Sequence, residues 1–256
     1  MKVFKLLIPV AGILVISVFY SCKKSSPKPT PPTLPPVNLV AHWALNGNAN
    51  DASRYGNNGA AINTTPVADR FGNPNNALYF NGSTSYIIVP DSARLRLAGT
   101  DFTVNAWVKL DAYSNDYVST IISKRIQGAN NGWLFAINGF GDTPTYTLGS
   151  VYYGPGGGDA DAAGSTAVGT GNWHMITCVY TYAAQTLSIY IDGALDHTVN
   201  SILSPNAVVA APLYIGDDTD GFSTGQYFFK GSMDDIRIYN TALDQSSIQQ
   251  LETATN

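Results

Sequence analysis

LSIYIDGALDHTV, residues 187–199, alternates apolar and polar positions on both sides of Asp192-Gly193. An Asp-Gly pair accepts positive φ at both central positions, as a two-residue type I′ turn requires, and the twist of that turn suits a β-hairpin. The same texture extends outward in both directions. Twelve strand-like runs separated by turn residues include LVAHWAL (39–45), ALYFNG (77–82), SYIIVP (85–90), FTVNAWVKL (102–110), VSTIISK (118–124), GWLFAIN (132–138), HMITCVYTY (174–182), PLYIG (212–216) and MDDIRIYN (233–240). In FTVNAWVKL, Phe102, Val104, Ala106 and Val108 share one face and Thr103, Asn105, Trp107 and Lys109 the other, so each strand turns one face to a core. No long helical period competes, and the chain reads as all-β. The one convincing helix is terminal, with Asp244 as N-cap and a stripe of Leu243, Ile248 and Leu251 placed to cover a sheet edge.

The N-terminus belongs to a different regime. Lys2 and Lys5 precede an apolar run from Leu6 to Tyr20, which falls short of the roughly 20 residues a bilayer span needs and reads as a secretory signal. FYSCKK resembles a bacterial lipobox, with Cys22 as the lipidated residue. Residues 23–38 carry six prolines between Pro27 and Pro36 and have little to bury; extended, this tether reaches roughly 50 Å. The organisation is a lipoprotein signal peptide over 1–21, a Pro-rich tether over 22–38 and one domain over 39–256. The expected location is an outer membrane lipoprotein of a gram-negative bacterium, facing the periplasm or the cell surface.

Lys and Arg number 14 against 18 Asp and Glu, a formal net charge of −4. No basic patch points to nucleic acid. Only Cys22 and Cys178 are present, so there is no disulfide framework, and Cys178 in an alternating run reads as a small buried residue.

LVAHWALNGNANDASRYGNNG, ALYFNGSTSYIIVP, FTVNAWVKL, TIISK, GNWHMITCVYTY, LSIYIDG, PLYIG and GSMDDIRIYNTAL, in that order, resemble the laminin G-like jelly-roll domains of the concanavalin A-like lectin/glucanase superfamily. The resemblance covers residues 39–251 and implies a two-sheet antiparallel sandwich with its first and last strands side by side. Arg54-Tyr55 stands where such domains more often carry small residues.

Glycosidases of this fold place two glutamates on one strand. This chain has a single glutamate, Glu252, in its tail. The three histidines show no metal-ligand spacing, and no G-x-S-x-G marks a nucleophile. Asp217, Asp218 and Asp220 fail the EF-hand pattern, because Gly216 takes the first ligand position and Tyr227 the twelfth; they read as a solvated acidic turn. Sugar recognition uses aromatic faces with amides and carboxylates for hydroxyls. Trp133, Tyr152, Tyr153, Phe222 and Tyr227, with Asp218, are the candidate ligand-binding residues, and Tyr113 and Tyr117 also lie outside the obvious core phase.

The Asn- and Gly-rich loop GNANDASRYGNNG (47–59) suits Asx turns, or the embrace of a hard cation. In MDDIRIYN, strict alternation puts Asp234 in phase with Ile236 and Ile238 and sends Asp235 to the opposite face. With the first and last strands adjacent, as the resemblance implies, a structural calcium ion held by Asp51, Asp234 and carbonyl oxygen from the Asn57 region offsets the cost of burying Asp234. The alternative is a turn in which Asp51 caps backbone amides and Asp234 pairs with Arg54 or Arg237.

The expected function is a non-catalytic, monomeric recognition module of the cell envelope, binding a glycan or a surface protein and touching the membrane through its lipid alone. One alternative is a polysaccharide lyase using His174 or Tyr152 as base. The other is a purely structural or adhesion module.

Overall fold

The computed structural model describes residues 38–114, 118–126, 131–139, 150–154, 161–205, 210–218 and 227–254, and only the backbone at 150 and 152. Cys22, the expected signal and tether, Tyr117 and Phe222 lie outside the described residues. The first strands are β1 (Leu39–Trp43), β2 (Ala60–Ile62), β3 (Thr65–Val67), β4 (Ala77–Asn81), β5 (Tyr86–Val89), β6 (Phe102–Leu110), β7 (Val118–Lys124) and β8 (Trp133–Asn138). They continue with β9 (Ser150–Gly154), β10 (Ala162–Ala167), β11 (His174–Thr181), β12 (Thr186–Ile191), β13 (Ala194–Asn200), β14 (Leu213–Ile215) and β15 (Lys230–Tyr239). A 3-10 turn spans Ala93–Arg96, and α1 spans Gln245–Thr253.

Two antiparallel sheets result. One has the order β13-β12-β11-β6-β15-β4-β3, with β1 also on β15; the other runs β10-β9-β8-β7-β14-β5-β2. The long β15 explains the branch: Lys230–Met233 pair with β4, and Ile236–Tyr239 pair with β1. First and last strands therefore lie side by side, as the resemblance implies. The hairpin forms as read, with Asp192 at φ 49 and Gly193 at φ 70, both positive as a type I′ turn demands.

Between the sheets, Phe102, Val104, Ala106 and Val108 face Ile121, Phe135, Ile137 and Leu213 in one core that also holds Cys178. Burying each large apolar side chain stabilises by roughly 1.5–3 kcal/mol. The opposite face of β6 and β11 is covered as well. Trp107, Met175 and Val179 pack under Ile248 and Leu251 of α1, whose N-cap Asp244 accepts from the Ser247 amide at 2.8 Å. The helix thus covers a sheet face and not an edge, because its apolar stripe meets the large residues that β6 and β11 turn outward.

Candidate functional site

The loop after β1 is organised around Asp51. Its carboxylate accepts from the amides of His42 (2.9 Å), Ser53 (2.8 Å) and Asn57 (2.7 Å), from Ser53 Oγ (2.8 Å) and from Asn57 Nδ2 (3.0 Å). Burial alone would raise its pKa, but the bonds from His42, Ser53 and Asn57 hold it below the ordinary carboxylate value. Asn57 in turn gives its carbonyl to Trp43 Nε1 at 2.8 Å and donates from Nδ2 to the Val40 carbonyl at 3.0 Å. The loop is a side-chain-capped turn stapled to β1.

On β15, strict alternation breaks. The register shifts between Asp234 and Arg237, and Asp235 adopts φ 50, so a β-bulge turns both carboxylates toward one guanidinium. Arg70 donates from Nη1 to Asp234 and from Nη2 to Asp235 at 3.1 Å and to the Ala254 carbonyl at 2.7 Å. Its Cζ lies 4.9 Å from the Trp107 ring centroid. Asp235 also meets His42 Nε2 and Arg237 Nε, each at 2.8 Å. The expectation that the two carboxylates leave on opposite faces is therefore corrected, and the partner of Asp234 is Arg70 in place of Arg54 or Arg237. Asp69 sets Arg70 in position by accepting from the Phe71 and Asn73 amides, both at 2.8 Å.

Asp234 and Asp235 are at most 1% exposed. Burial pushes the Asp234 carboxyl up to about 6 against the pull of Arg70. For Asp235 burial works in the same direction, but the His42 bond, with Arg237 and Arg70, holds it low.

These residues do not fit a calcium shell. Calcium wants six to eight oxygen lone pairs at roughly 2.3–2.6 Å. Here the oxygens of Asp51 face N–H and O–H donors, the Asn57 carbonyl faces the Trp43 indole, and Asp234 is neutralised by Arg70. Among the described residues no group of three or more His, Cys, Asp and Glu could hold a metal ion.

Of the aromatic candidates, Trp133 and Tyr153 are fully buried core residues. All of β8 is buried on both faces, so falling outside one phase did not place a side chain in solvent. Tyr113 leans on the core and donates from its hydroxyl to the Val168 carbonyl at 2.8 Å. Tyr227 packs beside Val118, Leu134 and Ala136, on the outer face of the second sheet. In the acidic turn Asp217 and Asp218 are not solvated, being at most 1% exposed, and Asp220 lies outside the described residues. Asp218 takes a bond from Ser123 Oγ and is clasped by Arg125, whose Nε and Nη2 lie 3.1 and 2.5 Å from Oδ2. Asp217 keeps Oδ1 on the Asp218 amide at 2.8 Å while Oδ2 finds no partner among the described residues, and burial pushes its carboxyl up to about 7. His174 Nδ1 sits 2.8 Å from Asp192 Oδ2, a tie between β11 and the hairpin turn.

Sequence reasoning missed a groove of about 460 Å³ lined by Tyr55, Arg94, Arg96, Thr100 and Asn240, among others. The 3-10 turn builds one wall. Leu95 is buried in the core and its carbonyl accepts from Trp133 Nε1 at 2.9 Å, which pins the turn. Leu97 at φ 55 closes it. Arg94 Cζ lies 4.6 Å and Arg54 Cζ 4.8 Å from the Tyr55 ring centroid, and Arg54 Nη2 donates to Tyr55 Oη at 2.6 Å. Arg54-Tyr55, already unusual in the sequence, was the one legible signal of this groove.

Residues 81–249 match a family model described as the concanavalin A-like lectin/glucanases superfamily, and the chain belongs to that superfamily. No curated protein matches the chain. Among solved structures, domain 4 of AbnA, a GH43 extracellular arabinanase from Geobacillus stearothermophilus in complex with arabinotriose, is 19% identical, with a TM-score of 0.63 over 84% of this chain and 98% of that one. The binding domain of Paraclostridial Mosquitocidal Protein 1 is 17% identical at a TM-score of 0.64, over 84% of this chain and 52% of that one. A botulinum neurotoxin type C structure, whose cell entry depends on two ganglioside molecules, is 16% identical at 0.60, over 84% and 51%. The chain spans about half the length of these toxin structures. At such identities the likeness is one of fold.

Proposed function

We propose that the domain is a non-catalytic recognition module for a glycan, held at the cell envelope by a lipid on Cys22 and a Pro-rich tether over residues 22–38. The observation that carries this reading is the groove beside Tyr55: an aromatic side chain, guanidinium donors and the polar side chains Thr100 and Asn240 meet at a cavity of ligand size. The adjacent carboxylate pairs Asp234–Asp235 and Asp217–Asp218 are at most 1% exposed, so they are poorly placed as acid and base for a polysaccharide. Similarity of fold to an arabinotriose-bound domain and to ganglioside-dependent toxins supports the same reading.

Two experiments test it. Full-length protein incubated with a panel of polysaccharides retains some of them and releases no new reducing or unsaturated ends; sustained turnover by the purified protein overturns the reading. Cys22→Ser, in turn, moves the protein into the soluble fraction, and a serine variant that withstands carbonate extraction contradicts the anchor.

A further inference from the structure

Four cations gather at one end of the sandwich of a chain whose formal net charge is −4. Arg54 and Arg94 lie against Tyr55, while Arg96 and Lys124 share one carboxylate, Asp91, at 2.6 and 2.7 Å. Lys124 is fully buried and spent on Asp91 and the Ala211 carbonyl. Arg96 gives Nη2 to Asp91 and Arg54 gives Nη2 to the Tyr55 hydroxyl, which leaves the other donors of each guanidinium, and Arg94 is in no ion pair among the described residues. A guanidinium lying over an aromatic ring engages its face and keeps in-plane N–H donors for an acceptor at its edge. Arg94 has exposed surface, and Nε of Arg96 is buried without an acceptor among the described residues. The ring and the pinned 3-10 turn hold these side chains before any ligand arrives, which lowers the ordering cost of binding.

We propose that this groove binds the carboxylate of an acidic saccharide, a uronate, with the lining residues Arg94 and Arg96 donating to the carboxylate, Arg54 adding its charge from beside the lining Tyr55, and Thr100 and Asn240 placed for ring hydroxyls. The assignment rests on the glycan-recognition reading and names the sugar class within it. A planar carboxylate matches the guanidinium fork with two parallel bonds. No acid stands among the described lining residues, and Asp91 is shared by Arg96 and Lys124, so the excess positive charge favours an anion over a neutral sugar and makes the preference fall as salt rises.

The test is calorimetric titration of the full-length protein with short oligomers of galacturonate, mannuronate and glucuronate, each beside its methyl ester, and with a heparin oligosaccharide. At least one uronate oligomer is expected to bind roughly tenfold or more tightly than its ester, the equivalent of one charge-assisted hydrogen bond. Arg94→Gln and Arg54→Gln, at exposed positions, are expected to abolish that preference while leaving the melting temperature unchanged. Acid and ester binding equally, or a preference untouched by both variants, overturns the carboxylate site and leaves glycan recognition standing. Heparin bound in place of every uronate assigns the groove to sulfate and overturns the proposal. Binding of no uronate, ester or heparin oligomer overturns this proposal, and no retention across the polysaccharide panel removes the glycan reading with it.

Discussion

Arg70 holds Asp234 with one guanidinium nitrogen and Asp235 with the other, 164 and 165 residues further along the chain. The same side chain reaches the Ala254 carbonyl just past α1 and lies over Trp107. One buried cation thus joins the turn after β3, the bulge of β15, the central strand β6 and the C-terminal segment.

Removing that cation takes the guanidinium from the fully buried Asp234, while Asp235 keeps His42 and Arg237. Arg70→Met is expected to destabilise the domain by about 3–5 kcal/mol in denaturant titrations near pH 7. Arg70→Lys recovers only part of this, because an ammonium cannot reproduce the two-pronged geometry. Adding Asp234→Asn to Arg70→Met restores stability, and a double-mutant cycle measures the coupling. Additive effects would contradict the pairing.

Calcium is expected to do little. A cation that bound only the native state would raise stability by RT ln(1 + [L]/Kd), about 2.7 kcal/mol at a hundredfold excess over Kd. The Asp51 loop is satisfied by protein donors, so melting curves in EDTA and in millimolar calcium should superimpose. A calcium-dependent rise abolished by Asp51→Ala would show that the loop rearranges around the ion.

Asp217 gives the domain a pH dependence of defined sign. Unfolded, its carboxyl titrates near 3.8; folded, burial and the neighbouring Asp218 push it up to about 7. Between these values the folded protein keeps a proton that the unfolded chain has lost, so this contribution falls as pH rises through the window and is flat above it. Asp217→Asn is expected to gain on the order of 2 kcal/mol at pH 8 and nothing near pH 3. An equal effect at both pH values would contradict the assignment.

Trp133 tests whether the groove depends on the core beneath it. Trp133→Phe leaves the Leu95 carbonyl without its donor, at a cost of about 1–3 kcal/mol. Because that bond pins the turn carrying Arg94 and Arg96, saccharide affinity should fall as well. Lost stability with unchanged affinity would separate the turn from the indole.

The sequence was most legible where a local rule acts alone. The Asp192-Gly193 turn and the alternation of Phe102 to Val108 follow from φ preference and period-2 geometry, and both stand in the structure. The same alternation failed at Asp234-Asp235, because a left-handed residue at 235 inserts a bulge that no neighbouring residue type demands. Trp133 was misplaced for a related reason: with both faces of β8 covered, phase no longer distinguishes core from surface; Tyr153, on the neighbouring β9, points into the core between the sheets. Arg70 gave no local sign of its role, since its partners lie at the far end of the chain. Tyr55 was visible as a departure from its family, but the arginines that meet it arrive on a separate 3-10 turn that sequence reading did not anticipate.

The most direct test of the account is to map a bound saccharide on isotopically labelled protein by amide and guanidinium chemical shifts. Perturbations centred on Tyr55, Arg94, Arg96 and Thr100 are the expected result. Perturbations centred on Val118, Leu134, Ala136 and Tyr227, on the outer face of the second sheet, would place recognition elsewhere and contradict the account.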